Sequence, residues 1–459
     1  MIFNFNKEAQ DKTLLGPRVF NLPPHIDFVR GFVDGLLSKF DSQVLNSSPE
    51  LLSQVTILAS NKVLARNIEE FLVKRNYFVL PKIIELGNIS DAFYEWPIKS
   101  SFKRRPASEF RVISRLNKFL FLNKLIEEIQ EEDDQKFSQI LTFDLAESLI
   151  RLVEELNIND LSSKDLKKLT DEDLPKHLQL NLGMLHKVLE RYEVMLYQEK
   201  LIDENVKYLV EVCDLIDAWN LSPHYKPIIV VGSTGSQLAT AKLMEAVTRL
   251  PQGFVVLPGL DPYLSERGWK SLTADHPQYG FLGLCKTWGL DGFNRDKVIK
   301  APTWFESPLD MKTKGKKKIR SHLISLLMRP GSVTDEWRVE GQLIADKLLL
   351  AMGAVTLIEA NNSREEAAAI GLRIKEAVNK GSTVALITPS KLLARRVTVA
   401  LNRWNITPNN SLGVSLARTD FGLFFRQTAQ VLESAFQFDH VIGLLQNRYC
   451  GGDYIWHDK

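Results

Sequence analysis

A glycine-rich turn at residues 232–236, Gly-Ser-Thr-Gly-Ser, is the motif in this chain that most suggests chemistry. It lies between an apolar run typical of a buried strand and an amphipathic run typical of a helix. Backbone amides in such a turn can bind phosphate, and Ser233, Thr234 and Ser236 add hydroxyl groups. The Gly-Lys-Ser/Thr ending of a Walker A motif is absent. A tight strand-to-helix turn, or a contact to phosphate or a DNA backbone, therefore fits better than a catalytic nucleotide site.

The first strand-loop-helix pattern, at residues 18–40, is where a helicase-like ATPase would carry its Walker A motif. No glycine lies between Gly16 and Gly31, and the loop contains no lysine. Without glycine the backbone cannot wrap closely around a triphosphate. We therefore expect a degenerate ATPase fold that does not hydrolyse ATP at this position.

Residues 276–280, His-Pro-Gln-Tyr-Gly, place His276 beside Asp275 and two residues before Gln278. Such a set could move protons. However, the sequence shows no Ser or Cys nucleophile motif, no His-Glu-x-x-His and no paired carboxylates at helical spacing. A structural turn is the better interpretation, and we expect no catalytic residue in the chain.

Two basic segments could contact phosphates without sequence preference. The run at residues 312–320 carries six Lys or Arg residues, although a solvated loop is the alternative. The predicted helix at residues 391–404 carries Arg395, Arg396 and Arg403, and the last two share a face because they are seven residues apart. Thr388 closes the predicted strand before that helix. We expect Thr388 and the hydroxyls of the 232–236 turn to contact a DNA backbone, because open α/β sheets bind ligands at strand carboxyl ends. Arg395 and Arg396 are expected to contact the DNA backbone or a partner from their helix face.

Composition narrows the class of protein. The 459 residues are 44% hydrophobic and 25% charged, and the net charge is +2, which argues against a small, wholly basic nucleic-acid module. The three cysteines, Cys213, Cys285 and Cys450, lack metal-type spacing and are expected to be reduced thiols. Neither a secretion signal nor an apolar run of membrane-spanning length is present. We expect a cytoplasmic protein with no membrane partner.

The elements that would position these residues follow an α/β pattern. Apolar strands alternate with amphipathic helices, which predicts a parallel sheet covered on both faces. From about residue 108 to residue 217 the pattern is helical throughout and predicts a long insertion. Strands are expected at 18–22, 55–60, 227–231 and 253–261, and again at 355–360 and 382–390, where a second lobe begins. Asp27 and Asn61 are expected to begin the helices that follow the first two strands.

The amino-acid sequences of several segments resemble the AddB family in its alphaproteobacterial form. Members of this family are the non-motor subunits of AddAB helicase-nucleases. The resemblance covers nearly the whole chain. The segments that carry it are GSTGSQLATAKLMEAVTRLPQGFVVLPGLDPYLSERGWKSLTADHPQYG (232–280), RSHLISLLMRPGSVTDEW (320–337), LIEANNSREEAAAIGLRIKEAV (357–378), VALITPSKLLARRVTVALNRWNI (384–406) and NNSLGVSLARTDFG (409–422).

The resemblance implies superfamily 1 helicase-like parallel-sheet lobes with a degenerate P-loop fold and a long helical insertion. It divides the chain into the first part of lobe 1 (1–106), the insertion (107–226), the rest of lobe 1 with an inter-lobe linker (227–350) and the start of a truncated lobe 2 (351–459). The family's Mg²⁺-dependent nuclease domain would lie beyond Lys459, so no cofactor is expected in this chain.

The resemblance also implies partners. An AddB-like subunit partners the AddA-type motor at double-stranded DNA ends, channels a single strand and helps to resect the end for recombinational repair. Two rival functions remain open from the residues themselves. One is a nucleotide-binding enzyme that uses the turn at Gly232 to Ser236, and the other is a purely structural partner subunit that never contacts DNA.

Overall fold

A computed structural model describes residues 18–40, 48–89, 110–132, 139–167, 176–288, 301–305, 308–353, 355–409, 413 and 415–450. The chain divides into two compact units, residues 1–354 and 355–459. The strands of the described chain are β1 (Val19–Leu22), β2 (Thr56–Ala59), β3 (Lys82–Glu85), β4 (Arg111–Val112), β5 (Leu201–Ile202), β6 (Ile228–Val231) and β7 (Gly253–Pro258).

Thirteen of the described α-helices belong to the first unit, and four belong to the second, which has no described strand. They are α1 (Phe28–Ser38), α2 (Lys62–Lys74), α3 (Arg115–Glu132), α4 (Gln139–Ile158), α5 (Ser163–Lys167), α6 (Lys176–Gln198), α7 (Glu204–Leu221), α8 (Leu238–Arg249), α9 (Glu266–Lys270), α10 (Tyr279–Thr287), α11 (Pro308–Leu327), α12 (Glu336–Ala345), α13 (Leu348–Met352), α14 (Ser363–Asn379), α15 (Lys391–Asn402), α16 (Asp420–Glu433) and α17 (Phe438–Leu445).

Five strands of the first unit form a parallel sheet in the order β1-β7-β6-β2-β3. The four residues of β6 are completely buried because helices cover both faces. On one face α1 and α2 pack against the sheet, and on the other α7, α8 and α10 do so. The predicted parallel α/β sheet is confirmed, and all four strands expected in this unit are present. Three lie within one residue of their predicted bounds, and β7 ends three residues before its predicted end at Asp261.

The starts of two helices confirm the caps expected from the sequence. A side-chain oxygen of Asp27 accepts a hydrogen bond from the backbone N–H of Arg30 at 2.9 Å and begins α1. Asn61 does the same for the N–H of Leu64 at 2.9 Å and begins α2. Each oxygen accepts a hydrogen bond from an amide that has no partner within its helix. Both helices therefore begin directly after their capping residue.

The sheet has two elements that the periodicity did not reveal. Strand β3 pairs with β2, although Lys82 and Glu85 at its ends disguise a run with only two apolar residues between them. Beside β1, the segment at 301–305 forms a parallel bridge between Asn21 and Thr303. Trp304 in this segment is buried, and its indole N–H donates to the carbonyl of Phe32 at 3.0 Å. A segment distant in sequence thereby packs against the middle of α1.

The helical insertion has its own core between α3, α4 and α6. Strands β4 and β5 pair within the region predicted as helical throughout, so that prediction was wrong for these four residues. Lys118 and Asp203 are both buried, and their Nζ and Oδ1 atoms lie 2.6 Å apart. Tyr192 donates its hydroxyl to Asp203, and burial together with the charge of Asp203 raises the pKa of Tyr192 well above its ordinary value. Helix α7 packs instead on the main sheet.

The basic run at residues 312–320, for which a solvated loop was one interpretation of the sequence, lies within helix α11. That interpretation was wrong. The Lys-rich sequence hides an apolar stripe at Ile319, Leu323 and Leu326, which packs against α12 and α13 at helical spacing. Two of these three residues lie after Arg320. Their spacing indicates a helix only when the basic run is considered together with the residues that follow it.

A buried arginine joins α11 and α12 to the loop after β7. The Nε of Arg329 lies 3.0 Å from Glu336 and one of its terminal nitrogens lies 2.8 Å from Glu340, while its side chain is inaccessible to solvent. The same terminal nitrogen donates to the carbonyl of Tyr263 at 2.7 Å, and Ser265 donates to Glu336 at 2.7 Å. Two carboxylates and a carbonyl thus compensate one buried cation.

The second unit is helical over its described residues. Helices α14 and α15 pack together through Ala367, Val397 and Leu401, with Trp404 against the same cluster. Residues 355–360 and 382–390, predicted as strands, have no strand assigned, so both predictions were wrong. A strand requires a hydrogen-bonded neighbour, and apolar side chains such as Leu357 and Ile387 remain exposed here.

We expect Arg329→Met to lower the free energy of unfolding by about 1–3 kcal/mol, because the substitution leaves two half-buried carboxylates and the carbonyl of Tyr263 without their donor. Urea unfolding of the 459-residue chain measures the change. Arg267→Met is the matched control, because Arg267 pairs with Asp335 at the surface and both side chains are 61% exposed. Equal effects of the two substitutions would contradict the structural role of Arg329.

Candidate nucleic-acid interface

The 232–236 turn connects β6 to α8 at the carboxyl edge of the sheet. Gly232 and Gly235 have φ angles of 79° and 65°, in the left-handed region that favours glycine. The hydroxyl oxygen of Ser233 accepts a hydrogen bond from the backbone N–H of Gly235 at 3.1 Å. The turn thus satisfies one of its own amides, as a tight strand-to-helix turn does.

Neighbouring side chains close over this turn. A Cβ added at Gly232 would overlap Leu64 in the first turn of α2, and one at Gly235 would overlap Leu284 of α10. Thr234 lies against Gly280, so its side chain is half-buried. Ser236 alone among the three predicted hydroxyl residues is exposed. The packing favours the structural interpretation of the turn over a phosphate cradle.

The sheet changes the face of its connections between β2 and β6. The helix after β2 covers one face and the helix after β6 covers the other, which makes this the crevice where open α/β sheets bind ligands. Here the crevice holds Leu64 and the hydroxyl of Ser60, which lies near Gly232. The space next to the turn is therefore filled by the chain itself.

The loop after β1 is also unsuited to a triphosphate. Pro23 and Pro24 offer no amide N–H, and the Asp27 carboxylate occupies the start of α1. A phosphate at this helix start would meet a negative charge where a nucleotide site needs free donors.

His276 is held by both ring nitrogens. Its Nδ1 accepts from the backbone N–H of Gln278 at 3.1 Å, and its Nε2 lies 2.8 Å from the carbonyl oxygen of Met328, to which it donates. The Gln278 side chain in turn bonds Asp261 and Gly259, in the loop after β7. With neither nitrogen available to a substrate, His276 is a turn-forming residue, as its sequence context indicates.

The second unit contains a groove rich in arginine. It lies between the start of α14 and the exposed face of α15 and has a volume of about 510 Å³. Its floor consists of small and apolar residues such as Ala367, Ala368 and Val399. The four arginines that line it, all exposed, are Arg364, Arg395, Arg396 and Arg403.

Among the residues that the structure describes, these four arginines have no acidic partner. Over the described part of the chain, no carboxylate oxygen lies within 4.0 Å of their nitrogens. Glu365, the acidic residue next to Arg364, accepts instead from the side chain and backbone of Asn361. The side-chain hydrogen bond from Asn361 lowers the pKa of Glu365 and keeps it ionised there. Arg396 donates to the Ser363 hydroxyl, a neutral partner.

Four cations around one groove repel each other, and a bound polyanion would remove that cost. Guanidinium groups bind phosphate oxygens in pairs of hydrogen bonds, so the groove is suited to phosphate groups. Asn362 accepts from the N–H groups of Arg364 and Glu365 and so positions Arg364 at the groove. The arrangement can hold a phosphate backbone, and none of the residues that line it is His, Cys, Asp or Glu.

Only some of the site residues predicted from the sequence lie close together in the structure. It brings Arg395 and Arg396 together with Arg403, whereas Ser233, Thr234 and Ser236 belong to the first unit. Thr388 is half-buried before α15, and its hydroxyl accepts from the backbone N–H of Ser390 at 3.1 Å. Because no strand ends at Thr388, the reasoning that placed it at a strand carboxyl end was wrong.

Arg364 is the groove residue that sequence reasoning missed. It lies 31 positions before Arg395, and only the packing of α14 on α15 places the two beside the same space. A signal was available in the capping sequence Asn-Ser-Arg-Glu-Glu at 362–366, because a basic residue in the first turn of a helix is unfavourable for the helix dipole.

The described residues show neither a metal site nor a membrane-spanning helix. The parts of the chain that the structure describes contain no cluster of three or more His, Cys, Asp or Glu side chains placed to hold a metal ion. Among the same residues, no helix has the length and apolar character needed to cross a membrane. No family model and no curated protein matches the chain.

We expect Gly235→Ala to destabilise the protein by about 1–3 kcal/mol, because the new methyl group would overlap Leu284 and the residue would keep a positive φ. Gly283→Ala is the matched control on α10, where a Cβ meets nothing within 4 Å. That substitution should stabilise the helix by about 0.5–1 kcal/mol. Thermal unfolding compares the two, and an unchanged melting temperature for Gly235→Ala would show that the turn is not constrained.

Proposed function

We propose that this chain binds nucleic acid, and that its arginine groove, lined by Arg364, Arg395, Arg396 and Arg403, contacts the phosphate backbone. The observation that carries the proposal is four exposed guanidinium groups around one groove without an acidic partner among the described residues. Elsewhere, surface arginines such as Arg267 and Arg373 pair with carboxylates of this chain. This contrast supports the proposal that the groove binds an external anion.

We further propose that the chain is the non-motor subunit of an AddAB-type helicase-nuclease, which partners the AddA-type motor at double-stranded DNA ends for recombinational repair. The sequence resemblance to the AddB family over residues 232–280 and 320–422 supports this proposal. A parallel sheet with helices on both faces is compatible with a helicase-like lobe. The filled crevice beside Gly232 and the Asp27 cap fit a subunit that leaves ATP hydrolysis to its partner.

The double substitution Arg395→Gln and Arg396→Gln should weaken binding to a duplex oligonucleotide and flatten its salt dependence. Each phosphate contact contributes about 0.9 to the slope of log affinity against log salt, so the slope should fall by about 1.8. Fluorescence anisotropy at several salt concentrations between about 50 and 200 mM measures it.

The matched control for this test is Arg373→Gln with Lys380→Gln, which removes the same charge from α14. Both of these residues pair with Glu376 within the chain. The control should leave the slope unchanged. Equal losses in the two double variants would reduce the groove to a general charge effect, and a chain that binds no duplex at any salt would support the purely structural rival.

Co-expression with the AddA-type motor from the same source should yield a complex that survives purification, while the isolated chain should not hydrolyse ATP. ATP hydrolysis requires a turn that presents backbone amides and a lysine to the phosphates. Neither the loop after β1 nor the 232–236 turn does so. ATP turnover by the isolated chain, lost on Gly232→Ala, would instead support the nucleotide-binding enzyme.

A further inference from the structure

Three aromatic side chains form an exposed cluster in the second unit. The rings of Phe421 and Phe425, one turn apart on α16, meet edge to face with their centroids 4.8 Å apart. The ring of Tyr449 meets Phe421 at 5.7 Å, also edge to face. The exposed fractions of Phe421, Tyr449 and Phe425 are 46%, 50% and 57%. Aromatic rings in contact usually contribute to a buried core, so a cluster left half exposed indicates a binding surface.

A hydrogen-bond network behind the cluster holds it in place. Gln427 of α16 donates to the carbonyl of Gly443 on α17 at 2.9 Å and accepts from the side-chain amide of Asn447 at 2.9 Å. The oxygen of that buried asparagine accepts from the backbone N–H of Tyr449 at 3.1 Å. Tyr449 is therefore fixed beside Phe421 before any ligand binds, which reduces the entropy lost on binding.

The cationic residues near these rings are arginines. Arg418 comes three residues before Phe421 and Arg426 directly follows Phe425; both are exposed, and within the described residues neither has a carboxylate within 4.0 Å. The guanidinium of Arg448 lies 5.7 Å from the ring centroid of Tyr449 and 3.5 Å from Asp420, in an exposed pair. A suitable ligand therefore has flat apolar faces and negative charge together.

We propose that Phe421, Phe425 and Tyr449 form a base-stacking platform for single-stranded nucleic acid, with the phosphates beside Arg418 and Arg426. Unpaired bases can stack on protein rings, whereas the bases of a duplex already stack on each other, so the platform selects single strands. The inference rests on the proposed nucleic-acid binding and adds a contact that depends on bases, in contrast to the phosphate contacts of the arginine groove.

The wild-type chain tests this directly with two strands of equal length, oligothymidine and an abasic strand that has the same phosphates but no bases. Stacking on aromatic side chains is strong enough for the abasic strand to bind about tenfold or more weakly at equal salt. A duplex of the same length should show no comparable gain from its bases.

Phe421→Leu with Phe425→Leu should remove most of the preference for oligothymidine while leaving the affinity for the abasic strand unchanged. Leucine keeps an apolar side chain at both positions, and circular dichroism checks the fold. The matched control is Phe436→Leu with Phe438→Leu, because these residues are 67% and 73% exposed and make no ring contact with the cluster. The control should keep the full preference.

The outcomes separate the platform from the proposed function. Equal affinity of the wild-type chain for both strands would overturn the platform and leave the arginine groove standing. Failure to bind either strand would overturn both proposals. Self-association that disappears in the Phe421→Leu, Phe425→Leu variant would assign the cluster to contacts between copies of the chain and would also overturn the platform.

Discussion

The first unit depends on the burial of strand β6 on both faces. Its four side chains, from Ile228 to Val231, are inaccessible to solvent, so the chain must supply helices above and below the sheet. Helix α2 covers one face and α8 the other, and the connections between strands and helices meet at the carboxyl edge. The 232–236 turn is closely packed for this reason. Leu64 and Leu284 approach it from the two helical layers and leave no room for a Cβ at either glycine.

Charges in this molecule divide into two kinds. Those inside the first unit are compensated, as Arg329 is by Glu336 and Glu340, and as Lys118 is by Asp203, because a buried ion without a partner costs several kcal/mol. The arginines of the groove on α14 and α15 are exposed and have no such partner among the described residues. Water solvates them in the free protein, so they remain available to an external anion. A net charge of only +2 conceals this local concentration.

Much of the first unit could be predicted from the sequence. Continuous apolar runs indicated four of its strands, and Asp27 and Asn61 marked the starts of two helices, because these signals act within a few residues of one another. Strand β3 was missed because its burial comes from β2 beside it and not from its own pattern. The strands expected at 355–360 and 382–390 failed for the converse reason: apolar runs favour a strand, but only a neighbouring strand can complete its hydrogen bonds.

For the candidate site, the sequence by itself determined that Arg395 and Arg396 on α15 and Arg403 directly after it lie on or near one face, since helical spacing decides which side chains are neighbours. It also determined that the 232–236 turn lacks the lysine of a nucleotide site. Only the tertiary structure decided that Arg364 joins the three arginines and that Leu64 fills the crevice at Gly232. Both depend on contacts between segments far apart in the chain, and packing of whole elements sets such contacts where local spacing cannot.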